Sequence, residues 1–208
     1  MRKKSKIKSV PVEKVEAILK IKKIFSMGYL PAREYQTYSE INPHTGNSFS
    51  SQINCFAHAC LNLTNEQLAN LNLDNDDTYY FDIKDYSYEP EEYIEKCFLQ
   101  RIKRFGLTAE TCDKTFNPQK ENQWKVALYF GTTKFLDCDY HFLKQEKDGS
   151  WSCKIGWSPL EVDRVETLPK VYKSPVGTDY YFYKTYIITN PEANKVYDED
   201  YVEIYHLL

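Results

Sequence analysis

Apolar residues recur at Val12, Val15, Ile18, Leu19, Ile21 and Phe25, a spacing that gathers them on one broad face of a helix. Pro11 suits the start of that helix and Gly28 its end. The same period returns at Tyr93, Ile94, Phe98 and Ile102 in EEYIEKCFLQRIKRFG, with Pro90 just before its start and Gly106 at its stop. Past Trp124 the pattern changes to short runs rich in aromatic and β-branched residues: KVALYFG, LDCDYHFLKQ, WSCKIGW and TDYYFYKTYIIT. Turn chemistry at Gly131, Asp148-Gly149 and Pro175-Val176-Gly177 separates these strands. Helices first and an antiparallel sheet second is the α+β order. With no repeat and no linker in the pattern, residues 1–208 are expected to form one domain of helices packed on an antiparallel β-sheet.

A polar loop, NPHTGNSFSSQ, stops abruptly at INCFAHACLNL. Ser51 or Asn54 is suited to cap a helix that opens at or near Cys55, which sets this thiol at the positive end of a helix dipole. Along LDCDYHFLKQ, alternation sends Leu136, Cys138, Tyr140 and Phe142 to one face and Asp137, Asp139, His141 and Leu143 to the other. His141 therefore stands on the more polar face, beside Asp139. A helix start and a neighbouring imidazolium both lower a thiol pKa from about 8.5 and make the sulfur a nucleophile. Cys55 and His141 are a candidate pair if the sheet carries the histidine's strand against the start of that helix. The plainer reading takes Cys55 as a small packing residue and His141 as a satisfied structural histidine.

Composition leaves room for that chemistry. A chain of 208 residues, 42% hydrophobic and 15% aromatic, can bury a full core. No run approaches the roughly 18 apolar residues of a membrane helix, and lysines interrupt AILKIKKIF where a signal peptide would need an apolar stretch. A cytoplasmic location is expected, with the six cysteines reduced. Cys60, Cys97 and Cys112 read as buried or incidental thiols. Cys138 and His141 are an odd number of residues apart on one strand, so a zinc site of Cys138, His141 and Cys153 is not expected, and neither metal nor cofactor is called for.

The net charge of −3 hides a split, since residues 1–23 hold nine cationic and two acidic side chains. Residues 1–28 read as a basic leader and helix. Residues 74–92, with eight acids, one lysine and four tyrosines, read as a solvated surface insertion that could dock a basic partner or the leader itself. Nucleic acid is not the favoured partner, because the aromatic residues are not interleaved with the basic ones and no recognition signature is present.

A cysteine at a helix start in INCFAHA, a strand KVALYFG, a histidine in DYH and a following arm DGSWSCKIG together resemble the papain-like cysteine peptidases of the NlpC and CHAP types. The same segments are similar to a bacterial papain-like group of unassigned role that reads NCYAYA, DYHWYRQ and DGTWSHKPG before a closing aromatic strand. The resemblance covers residues 52 to 187, apart from the acidic insertion. It implies a papain-like fold, Cys55 as nucleophile, His141 as general base, and a peptide or amide substrate, either a peptidoglycan peptide or a cytosolic protein. The family's third group, a His, Asn or similar acceptor, stands twelve residues past the histidine, where this chain has Cys153, a weak acceptor. Asp139 or a backbone carbonyl could hold the imidazole instead. A binding protein on the same fold, with catalysis weakened by Cys153, is the alternative reading. Gln52, Asn54 and His58 match no family role, though Gln52 or Asn54 could donate to an oxyanion beside the Cys55 amide.

Hairpin parity sharpens the role of position 153. If Asp148-Gly149 is a two-residue turn, Lys147 pairs with Ser150 and Cys153 falls on the face opposite His141. If Lys147-Asp148-Gly149 is a three-residue loop with Gly149 left-handed, Glu146 pairs with Ser150 and Cys153 shares the face of His141. The resemblance requires the second arrangement.

Overall fold

The computed structural model describes residues 12–32, 35–71, 90–132, 139–156 and 162–193. The basic stretch before Val12, most of the acidic segment 74–92, and Cys138 lie outside these residues. The helices are α1 (Val12–Ser26), α2 (Phe49–Gln52), a π-helix (Ala57–Leu61), α3 (Asn65–Leu71) and α4 (Pro90–Arg104). The strands are β1 (Thr108–Cys112), β2 (Gln123–Gly131), β3 (Asp139–Gln145), β4 (Trp151–Cys153), β5 (Asp163–Val165), β6 (Val171–Lys173) and β7 (Asp179–Thr189). Every described helix precedes every described strand, which is the α+β order. No described helix is long and apolar enough to cross a membrane.

Among the described side chains the helical periods bury in large part as their spacing requires. Ile94, Phe98 and Ile102 of α4 are wholly buried, and the Phe98 ring meets Phe142 at 5.1 Å and Tyr186 at 5.0 Å. On α1, Ile21 and Phe25 are buried, but Leu19 is 58% exposed, so the apolar face of that helix is narrower than the spacing suggests. Gly28, at φ +77°, takes the left-handed conformation that ends the helix.

All strand pairs are antiparallel. Their order is β1-β7-β2-β3-β4-β5, and β6 also pairs with β7. Both faces of the sheet are buried. The helix side carries Val126, Leu128, Phe130, Tyr140, Phe142 and Tyr186 into one core with α1, α4 and the π-helix. The opposite side forms a smaller core of Ala127, Tyr129, Leu143, Trp151, Cys153, Tyr172 and Tyr180. The face of His141 is therefore not a polar surface, as alternation suggested, but the floor of this aromatic cluster.

At Gly131, the end of β2, an added methyl would come within 2.8 Å of both the Asp179 carbonyl and the Tyr180 ring. Close approach of β7 thus requires glycine here. Gly131→Ala is expected to cost about 1–3 kcal/mol of stability, read as a lower urea midpoint. An unchanged midpoint would show that β7 yields at no cost.

Candidate functional site

The helix that holds Cys55 begins where the sequence leaves the polar loop. Of the two candidate caps, Asn54 is the one used: its Oδ1 accepts the Ala57 N–H at 2.9 Å. Cys55 and Phe56 follow in helical conformation, and the chain then widens into the π-helix Ala57–Leu61. Asn62 closes that helix at φ 52°, the left-handed region, with its N–H on the Ala57 carbonyl at 3.1 Å. Asparagine tolerates that conformation better than most residues. The helix is tied to the sheet by Trp124 Nε1, which donates to the Ala59 carbonyl at 3.1 Å.

The hairpin between β3 and β4 settles the register. Gln145 pairs with Trp151 and Lys144 with Ser152. Glu146 N–H donates to Ser150 at 2.8 Å, Gly149 N–H donates to Glu146 at 3.0 Å, and Gly149 has φ +88°. Lys147-Asp148-Gly149 is therefore the three-residue loop, and Cys153 lies on the face of His141.

β3 pairs with β4 only through Lys144 and Gln145, so its edge is open at Phe142, and Cys55 meets it there. The sulfur lies within reach of the backbone amides of Phe142, Phe56 and Cys55 itself, which lower the thiol pKa. Burial outweighs them, and with the Asp139 charge it pushes the thiol up to about 12. The Phe142 amide belongs to the peptide that joins it to His141, so the nucleophile candidate sits beside the base candidate's own backbone.

The imidazole of His141 is only 3% exposed. It stacks against Tyr172 (5.0 Å, 9°) and Tyr180 (5.0 Å, 28°), whose own ring centroids are 6.4 Å apart. Its Nε2 is buried without a hydrogen-bond partner among the described residues. Burial first, and the Lys154 charge second, push its pKa down to about 3. The two groups proposed to orient it are engaged elsewhere. Asp139 Oδ1 accepts the Tyr140 N–H at 2.8 Å and Oδ2 accepts the Tyr180 hydroxyl at 2.7 Å. Cys153 is hydrogen-bonded to Tyr172, whose hydroxyl donates to Asp163 at 2.8 Å.

Gln52 and Asn54 part company. Gln52 Oε1 accepts from Asn42 at 3.0 Å and its Nε2 donates to Thr45 at 2.8 Å, so both ends stitch the preceding loop. Asn54 Nδ2, in contrast, is buried beside Cys55 with no hydrogen-bond partner among the described residues. His58, which sequence reasoning left without a role, lies at the centre of a buried polar chain. Its Nδ1 meets Tyr38 Oη at 2.8 Å and its Nε2 meets Ser152 Oγ at 2.8 Å. No local signal could reveal that partner, since Ser152 stands 94 residues away in sequence.

A cavity of about 430 Å³ opens at the far end of the hairpin, lined in part by Asn62, Trp124 and Glu146. Neither Cys55 nor His141 lines it. Among the described residues no group of three or more His, Cys, Asp or Glu side chains is placed to hold a metal ion. Compared with protein-family models and with curated proteins, the chain matches none of either.

Proposed function

We propose that the chain is a papain-like thiol hydrolase that cleaves a peptide or amide bond through Cys55 and His141. The reading is carried by two buried polar atoms, Asn54 Nδ2 and His141 Nε2, that lack partners among the described residues. One lies on the residue before Cys55, the other on the residue before the amide that Cys55 meets. Buried polar groups are nearly always satisfied, and a catalytic role is one of the recognised reasons for an exception. In this reading Cys55 attacks the carbonyl, and His141 takes the thiol proton and returns it to the leaving amine. Asn54 Nδ2, with the Cys55 and Phe56 amides, donates to the oxyanion. Water then releases the acyl group.

The resting pair is uncharged, so proton transfer accompanies attack rather than preceding it. That same observation favours a second reading. Moving the proton from a thiol near 12 to an imidazole near 3 would cost roughly 12 kcal/mol before the two charges attract each other. With no described acceptor at His141 Nε2, the fold would then serve a binding role with weak catalysis.

Iodoacetamide labelling at about pH 6 separates the two, because an ordinary thiol is then less than about 1% ionised. The hydrolase reading expects Cys55 to be alkylated faster than the half-buried Cys112, and His141→Ala to abolish the difference. Equal rates at Cys55 and Cys112, unchanged by His141→Ala, would leave only the binding reading.

A further inference from the structure

The buried chain through His58 admits one proton arrangement. Ser152 Oγ donates to Glu146 Oε1, and the same carboxylate oxygen faces Lys144 Nζ at 3.3 Å. With its proton given to Glu146, Ser152 can only accept from His58, so Nε2 carries the imidazole hydrogen. Nδ1 is then the acceptor, and the Tyr38 hydroxyl donates to it. Tyr38, His58, Ser152, Glu146 and Lys144 are each 8% exposed or less, so water does not compete for these bonds. Lys144 Nζ continues the chain to Asn62 Oδ1 at 2.8 Å. The chain thus grips the Cys55-bearing helix at His58, three residues after the thiol, and at its left-handed end, Asn62. Its other ends are on the β3–β4 hairpin: Lys144 follows His141 by three residues, and Ser152 precedes Cys153.

We infer that His58 is a positioning residue for the Cys55–His141 pair. Its ring hydrogen-bonds to Tyr38 and Ser152 rather than to either partner, and through them it fixes where the start of the helix stands against β3, and hence where the thiol stands relative to the imidazole. The inference rests on the hydrolase reading. A neutral histidine is required, since a second ring proton would remove the acceptor that Tyr38 uses. Burial first, and then the charges of Lys144 and Lys154, keep His58 in that form by lowering its pKa well below the ordinary value.

A double-mutant cycle on the full chain tests this. The rate of Cys55 alkylation by iodoacetamide is followed by peptide mapping in four proteins: unaltered, His141→Ala, His58→Phe, and the double variant. Near-ultraviolet circular dichroism reports the fold of each. His141→Ala is expected to slow alkylation about 100-fold in the unaltered background, the scale of general-base assistance. In the His58→Phe background its effect should shrink to about threefold or less, because contacting groups couple and displaced ones do not. His58→Gln, which keeps a donor for Ser152, should restore most of the His141 dependence. A merely structural role would lower stability in both variants without changing that ratio. A natively folded His58→Phe protein that keeps the full His141 effect overturns the inference and leaves the hydrolase reading intact. Absence of any His141 effect in the unaltered protein overturns both. If His58→Phe does not fold, Ser152→Ala and Tyr38→Phe cut the chain on either side and carry the same expectation.

Discussion

Glu146→Ala is expected to destabilise the protein by about 3–5 kcal/mol, because it leaves a buried ammonium without its carboxylate. Lys144 is 1% exposed, and its Nζ has Asn62 Oδ1 at 2.8 Å and Glu146 Oε1 at 3.3 Å. Burial already lowers its pKa, and Glu146 is the group that works against that shift. Without Glu146 the lysine must lose its proton in the folded state or hold a charge on one amide oxygen. The loss should therefore be largest near neutral pH. It should shrink as pH rises towards the unfolded lysine value of about 10.4, where folding no longer expels a proton. For a chain of this size the change corresponds to a fall in Tm of about 6–20 °C. Glu146→Ala combined with Lys144→Met should recover most of the loss, since replacing both members of a buried ion pair by apolar groups is often neutral. If the double variant is no more stable than Glu146→Ala, the cost lies in the Ser152 bond rather than in the lysine.

How much of this was legible depends on whether the cause is local. The period of Ile94, Phe98 and Ile102 declares α4 because a helix repeats its buried face every three to four residues, and all three are buried. β2 and β7 are long enough for composition to mark them. β5 and β6 are three residues each, exist only by pairing with β4 and β7, and carry no pattern of their own. The hairpin loop sat between two registers because Asp148-Gly149 fits both. The decision comes from Ser150, whose hydroxyl and N–H both bond to Asp148 Oδ1 at 2.6 and 3.0 Å, which tightens a loop closed by the left-handed Gly149.

The candidate site divides in the same way. Asn54 as a cap and Cys55 as the first helical residue follow from neighbours in sequence. The surroundings of His141 do not: alternation gives the face of a side chain, not what covers that face. Tyr172 and Tyr180, brought over it by β6 and β7, turn a presumed polar position into a stacked and dehydrated one. Asp139 was a reasonable orienting group at two residues' distance, but Tyr180 on β7, two strands away, claims its carboxylate. His58 is the converse case. Nothing around INCFAHACLNL distinguishes it from a packing residue, and its partners come from Tyr38 upstream and the hairpin downstream.

Stability should fall steeply as pH drops from about 6.5, and His141 is the residue whose contribution can be isolated. Above the unfolded value of about 6.5 the ring is neutral in both states, and it contributes no pH dependence. Below it the unfolded chain takes up a proton, while the folded ring, held near 3 by burial and by Lys154, does not. The unfolded state then binds more protons, so stability declines by about 1.4 kcal/mol for each pH unit until the folded ring itself titrates. Carried to pH 3 this amounts to roughly 4–5 kcal/mol from one residue. His58, also lowered by burial and by the nearby cations, adds a decline of the same sign. Asp139 opposes both, because burial raises its carboxyl and the folded state gains protons there as pH falls. In urea midpoints measured between about pH 7.5 and 5, comparison with a His141 variant isolates that ring's share. His141→Gln should flatten the decline by about 1 kcal/mol or more at pH 5 relative to the unaltered protein. A profile that is level across this interval, or unchanged by His141→Gln, would mean that the ring is hydrated and titrates freely. The cost of moving the thiol proton to the ring, which favours the binding reading, would then be smaller.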